Sequence, residues 1–398
     1  MQMQEVAAVA VTNRALLALT SAAIALPGIS PPVLADTQPE KARIGYRLSN
    51  YSESDLDKKD VLTGSNKRYD IDTHQFQLVA PFGENYSASF DYQYETMSGA
   101  SPLGVAADTE GNPILIMSGA SIKESRTDAS GSLTRYFDLG QVSLSTGFSK
   151  EDDYNANNAS ISGDYHINNK LTTLSGGLGF SNDTVEPTQQ TGFERVTKED
   201  KDSITGFLGF TQVLSKFDTV QTSISITDQS GYLSDPYKND TRPDARQQIA
   251  WLIKYRRYLV SQEAALHVNY RYYDDDWGIE SHTLDFSWHK NIGDHVQLVP
   301  SVRYYSQSQA DFYESTGSGI IATENSDSKN YQSTDYRLSP FGALTLGLKL
   351  VVKDSDWKIA LGYERYDSSG SMALKNVEVE NPALVDFTVL SLGLDYSF

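Results

Sequence analysis

The sequence predicts an all-β chain, a transmembrane antiparallel β-barrel of about sixteen strands behind a cleavable signal peptide. Three observations carry this. Apolar and polar residues alternate with period two in segment after segment. The connections alternate as well, a short Gly/Asn/Asp/Pro turn and then a longer, more acidic loop. The last nine residues alternate strictly: Leu390, Leu392, Leu394, Tyr396 and Phe398 against Ser391, Gly393, Asp395 and Ser397. A soluble sandwich or solenoid also has short alternating strands. It needs neither a lipid-wide apolar face on nearly every strand nor the regular switch between turns and loops.

Composition fits an exported barrel. The 398 residues contain no cysteine and carry a net charge of -19. Disulfides, thiolate metal sites and cysteine nucleophiles are thereby excluded, and the acidity argues against nucleic acid as a partner. A mean hydropathy of -0.42 usually marks a soluble protein, but in a barrel every second strand residue faces water. Residues 1–35 read as a secretory signal. Arg14 precedes the apolar run Ala15-Leu16-Leu17-Ala18-Leu19, which continues through Ala22 to Leu26, and Val33-Leu34-Ala35 offers small residues for cleavage before Asp36. Glu5 makes the amino-terminal part atypical, and an upstream start would explain it. Cleavage removes one acid and one base, Glu5 and Arg14, so residues 36–398 keep the same net charge. The longest later apolar stretch, Phe341 to Val352, contains Lys349 and is too short to span as a helix. A membrane crossing must therefore use strands.

In chain order the first strand covers about Ala42 to Tyr51, the second Arg68 to Ala80, and the third begins at Tyr86 with Phe90, Tyr92 and Tyr94 on one face. A long loop follows, to about Ser121. The fourth strand carries Ala129, Leu133 and Phe137; the fifth Val142, Leu144 and Phe148; the sixth Ala159, Ile161 and Tyr165. Leu174 and Phe180 mark the seventh, Ile204 and Phe210 the eighth, Val220 and Ile226 the ninth, Ile249 and Tyr255 the tenth. Leu266 to Tyr272 form the eleventh, Leu284 to Trp288 the twelfth, Val296 to Tyr304 the thirteenth, Leu344 to Leu350 the fourteenth and Trp357 to Tyr363 the fifteenth. The terminal segment is the sixteenth. Short turns follow the even strands, which puts both chain ends at the periplasmic side and the long loops outside.

Two resemblances sharpen the reading. Ser391, Gly393, Tyr396 and terminal Phe398 resemble the carboxyl-terminal signal of bacterial outer-membrane barrels. That implies Gly393, Tyr396 and Phe398 as an assembly signal and the barrel-assembly machinery as a partner. Arg68 to Phe76, Met97 to Pro102, Gly231 to Tyr237, Arg242 to Arg246 and Arg303 to Gln307 are similar to an outer-membrane family, the domain-of-unknown-function family 3570. The resemblance implies an outer-membrane barrel, bounded by lipid and lipopolysaccharide. It brings no assigned ligand or catalytic residue. It also points to an association with periplasmic thioredoxin-like and flavin-transferring proteins.

Few residues announce chemistry. Met97-Ser98-Gly99-Ala100-Ser101 recurs as Met117-Ser118-Gly119-Ala120-Ser121 and flanks an apolar stretch, Pro102 to Ile116. That stretch either folds into the lumen as a constriction or packs on the rim or on a neighbouring loop. Asp274-Asp275-Asp276, Asp152-Asp153, and Glu324 with Asp327 cluster in external loops without calcium-loop spacing, which reads as a solvated acidic rim. Asp91, Glu95, Arg271, Arg303, Lys349, Lys358 and Glu364 are the pore-lining candidates. The histidines His74, His166, His267, His282, His289 and His295 lack metal-ligand spacing. Gly177-Leu178-Gly179 is strand glycine rather than a phosphate loop, and there is no Gly-x-Ser-x-Gly elbow. No cofactor, metal or catalytic residue is expected.

The expectation is a non-enzymatic, porin-like passive channel for small solutes, since sixteen strands leave water inside. An acidic mouth would favour cations. One alternative is a scaffold barrel holding a periplasmic or surface partner, linked to envelope redox proteins. Another is a barrel enzyme acting on lipid or peptide, which would need a Ser/His or Asp/His cluster at one height on the wall.

Overall fold

The computed structural model describes residues 38–119, 122–189, 195–317 and 331–398. The expected signal segment lies outside them, as do Glu324 and Asp327. The described residues form nineteen strands: β1 (Arg43–Glu53), β2 (Val61–Thr63), β3 (Asp70–Phe82), β4 (Tyr86–Gly99), β5 (Pro102–Ala107), β6 (Pro113–Met117), β7 (Ile122–Phe137), β8 (Gly140–Lys150), β9 (Tyr154–Ile167), β10 (Thr172–Val185), β11 (Glu199–Val213), β12 (Asp218–Gly231), β13 (Ala245–Leu259), β14 (Ala264–Asp275), β15 (Glu280–Ile292), β16 (Val296–Gln307), β17 (Phe341–Asp354), β18 (Trp357–Ser369) and β19 (Phe387–Ser397). Sixteen of them close an antiparallel barrel, while β2, β6 and β5 make a separate small sheet. All sixteen strands expected from the alternation are barrel strands.

Closure runs through β1 and β19, paired from Arg43 with Ser397 to Glu53 with Phe387. Ala42 and Phe398 exchange backbone hydrogen bonds of 3.0 and 2.8 Å beside this seam. The start of β1 and the end of β19 thus meet at the short-turn end. No edge strand is left open, which removes the usual route to edge-to-edge aggregation. One turn at this end, Asn168-Asn169-Lys170, takes three successive positive φ values of 51°, 55° and 65°. Asparagine tolerates that left-handed region better than most residues.

The period-two pattern sorts side chains to two faces. Ile44, Phe90, Leu144, Leu178, Leu208, Ile224, Trp251, Leu346 and Leu390 all point outward and are exposed. An apolar band of this kind is what a bilayer covers. Trp357, Tyr396 and Phe398 stack outside the short-turn end, with ring centroids 4.5 and 5.9 Å apart, as an interfacial aromatic girdle does. A wide apolar groove of about 1030 Å³ crosses β8–β13 outside. Its floor includes the outward positions Gly176 and Gly206, on which Leu208 and Leu178 lie. Among the described residues no helix is long and apolar enough to cross a membrane.

The two faces make a direct test. Ile224 points outward and its neighbour Ser223 inward on β12. Ile224→Arg should destabilise the folded barrel by about 2–4 kcal/mol, the cost of a guanidinium near the bilayer midplane. Ser223→Arg should change little. Urea titrations of refolded protein in lipid vesicles, read by gel mobility, measure both. Equal costs would reverse or abolish the assignment of faces.

Candidate functional site

The inner wall and the loops at the far end make the candidate site. At mid-height on the inner face of β8–β12 most side chains are short, Ser143, Ser145, Asn158, Ser160, Ser175, Gly177, Gly179, Thr205, Gly209, Ser223 and Ser225, and the large exception is Phe207, whose ring lies over Gly177. Side chains this short cannot fill a barrel of sixteen strands, so this part of the lumen is room for water. Asn158 and Ser160 are accordingly exposed although they face inward.

Charge on the inner wall is divided. Along β13–β19 and β1 the inward residues include Lys254, Arg256, Arg271, Arg303, Lys349, Lys358, Arg43 and Arg47, against Asp285, Glu364 and Asp395. Along β4–β10 they include Asp91, Glu95, Glu124, Asp128, Asp164 and Asp183, against Arg126. Barrel order sets β14–β17 opposite β4–β9. A mainly basic arc therefore faces a mainly acidic one across the lumen.

All seven pore-lining candidates occupy inward positions, but their surroundings differ. Glu95 is buried against Arg126, 3.8 Å away, and lines no open space. Arg303 pairs with Asp285, and Lys358 pairs with Asp395 at 2.7 Å. The Arg271 guanidinium lies 5.1 Å from the Tyr273 ring centroid. Asp91 accepts a 2.7 Å hydrogen bond from Gln77. Lys349 and Glu364 border a cavity of about 240 Å³. Of the three residues expected to form an assembly signal, Gly393 faces inward beside Arg47, while Tyr396 and Phe398 belong to the outer girdle.

The histidines hold one surprise. His74 meets Tyr46, His282 meets Tyr270, and His166 contacts Thr173. His267 and His289, far apart in sequence, become inward neighbours on β14 and β15 with ring centroids 4.0 Å apart. Only strand pairing brings them together, so their spacing could not reveal it. Among the described residues no three His, Cys, Asp or Glu side chains converge as a metal site.

The long loops join into a cap. Ser101 and Ser118, one from each copy of the repeat, form the neck of the β5–β6 excursion: Ser101 N donates to Ser118 Oγ and Ser118 N to the Ser101 carbonyl, each at 2.9 Å. The excursion packs on neighbouring loops, the second of its two expected arrangements. Its Val105, Leu115 and Met117 share a core with Tyr336 and Ala383, which come from two other loops. A second core joins Trp277, Ile279, Ala310, Tyr313 and Leu338. The segment between β16 and β17 reaches both ways. Gly317 N donates to the Val105 carbonyl at 2.8 Å, and Gln332 exchanges 2.9 Å backbone bonds with Thr241 of the β12–β13 loop. It also grips the wall, since inward Gln307 donates to the carbonyls of Arg337 and Ser339 at 3.1 and 2.6 Å.

At the centre of the cap, fully buried Asp335 gathers Lys238, Arg242 and Arg337. The expected acidic rim is partly consumed in the same way. Asp275 is buried and accepts from Trp277 N at 3.0 Å, Ile279 N at 2.9 Å and Arg246 Nε at 3.0 Å. Buried Asp153 accepts from the Tyr237 hydroxyl. These carboxylates build loops rather than face solvent.

Comparison with known proteins agrees with this architecture. A family profile described as "Protein of unknown function (DUF3570)" matches residues 16–382. No curated protein matches. A bacterial polysaccharide outer membrane secretin aligns with 90% of this chain and 98% of its own, at 9% identity and a TM-score of 0.50. CdiB from Acinetobacter baumannii aligns with 90% of this chain and 60% of its own, at 9% identity and 0.51. The siderophore receptor PirA from Pseudomonas aeruginosa aligns at 12% identity and 0.43; the alignment covers 88% of this chain, which spans 61% of the receptor. The likenesses to the secretin and to CdiB show the outer-membrane barrel fold.

Proposed function

We propose that this chain, which belongs to the DUF3570 family, is a passive outer-membrane channel for small polar solutes, with its long-loop end external and capped. One observation carries the reading: an inner wall of mostly short side chains at mid-height on β8–β12, in a lumen where a basic arc and an acidic arc face each other. Short side chains leave water, and opposed charges set a field across it. A solute carrying separated charges aligns in such a field, whereas a uniform wall would simply favour one ionic sign. Asp275 and Asp153 are bound up in the cap, which reduces the part that external carboxylates play in favouring cations at the mouth.

The test is conductance of refolded protein in a planar bilayer under a salt gradient. Open steps with weak net ion preference are expected. Lys254→Glu should move the reversal potential toward cations, because Lys254 faces the lumen among other cations. A silent barrel, shown to be folded by heat-modifiable gel mobility and still silent when the cap is loosened as described below, would refute the channel.

A further inference from the structure

We propose that the polar cavity on the basic arc is a binding site for a small, doubly charged oxyanion. The inference deepens the channel reading by naming a solute class, but binding does not require conduction. The cavity, about 240 Å³, opens among β14–β19, where Ser301, Gly362 and Ser391 leave space that larger residues would fill. That volume holds roughly eight waters, enough for a phosphate group or a short dicarboxylate with part of its hydration.

Its chemistry suits an anion. Arg303 and Lys349 border it, as do His267 and His289. Asp285 is committed to Arg303. Among the described residues Lys349 makes no ion pair, and Glu364 attracts it only from a greater distance. Arg256 acts electrostatically on Asp285 and on both histidines, while Arg47 acts on Lys349 and Glu364. Four cations thus surround two carboxylates, an excess that one doubly charged anion would balance. The Lys349 ammonium supplies a charge-assisted donor. His289 is held in place by Ser287 Oγ, 3.0 Å from its Nε2, and by the Gln297 side chain.

Calorimetric titration of the folded, detergent-solubilised protein with inorganic phosphate, and separately with succinate, tests this in chloride buffer. One ion per barrel should bind, and the better ligand of the two identifies the oxyanion class. Lys349→Gln should weaken binding at least about tenfold, the size of one lost charge-assisted contact. Lys349→Arg should restore it, and the exposed-loop variant Lys375→Gln should leave it unchanged. Gel mobility certifies each fold. Failure of both anions to bind, or binding indifferent to Lys349→Gln, overturns the site. If conductance steps persist in that case, the channel reading stands without it; if they are also absent, both fall.

Discussion

Asp335→Asn is expected to release the cap, exposing the barrel mouth to trypsin and raising single-channel conductance. Asp335 is fully buried and receives Lys238 Nζ at 3.0 Å, Arg242 Nη2 at 2.9 Å and Arg337 Nε at 2.9 Å. Those three cations come from two loops on different parts of the barrel. An amide keeps the shape but removes the charge, leaving three buried cations with reduced compensation. Breaking a buried ion pair from one side costs about 3–5 kcal/mol, comparable to what a loop assembly of this size can hold. Trypsin should then cut after Lys238 or Arg337, which the wild-type cap shields. Unchanged cleavage together with unchanged conductance would remove Asp335 from the role of central tie.

The same residue sets a pH dependence. Burial alone would raise the Asp335 carboxyl, but Arg337, Lys238 and Arg242 together hold it well below its ordinary value of 3.8. A carboxylate depressed on folding stabilises the cap fully above that ordinary value. The contribution is lost as pH falls through the depressed one. The wild-type tie should therefore persist from neutrality to about pH 4 and loosen only in stronger acid. In the asparagine variant this contribution is absent throughout.

The barrel was legible because lipid imposes one simple rule, an apolar residue at every outward position. Where that rule lapses, the sequence fell silent. β7 begins at Ile122, yet its apolar alternation starts only at Ala129, because Ser125 and Thr127 hold the preceding outward positions. Polar residues on both faces look like a loop. The short strands β2, β5 and β6 pair with one another rather than with the barrel, so no alternation betrays them. The inward position of the seven charged candidates followed from parity alone. Which of them share a height depends on strand register, and only register joins His267 to His289 or sets Lys349 beside Val299. The cap depends on contacts between distant loops, so nothing near Asp335 in sequence signals its three cations except Arg337.

Arg68 and Glu53 offer the second large effect, and its sign depends on how it is probed. Arg68 Nε donates to Glu53 Oε2 at 2.6 Å, with both side chains almost wholly buried. The Tyr51 hydroxyl donates to the other Glu53 oxygen at 2.8 Å, and the Tyr336 ring lies 5.8 Å from the guanidinium carbon. The pair thus ties the first barrel strand to the cap. Removing one partner strands a buried charge, so Arg68→Met should cost about 3–5 kcal/mol and Glu53→Leu a similar amount. Replacing both with apolar groups removes the attraction and also the desolvation of two ions. The double variant should accordingly lie within about 1–2 kcal/mol of wild type, far from the sum of the singles. Urea unfolding in vesicles measures all four corners of the cycle. Additive losses would mean that the two side chains act separately. A non-additive cycle with an intact, trypsin-resistant cap in the double variant would show that apolar packing around Tyr336 suffices to close the mouth on this side, and that the ion pair matters chiefly because neither charge can be left alone.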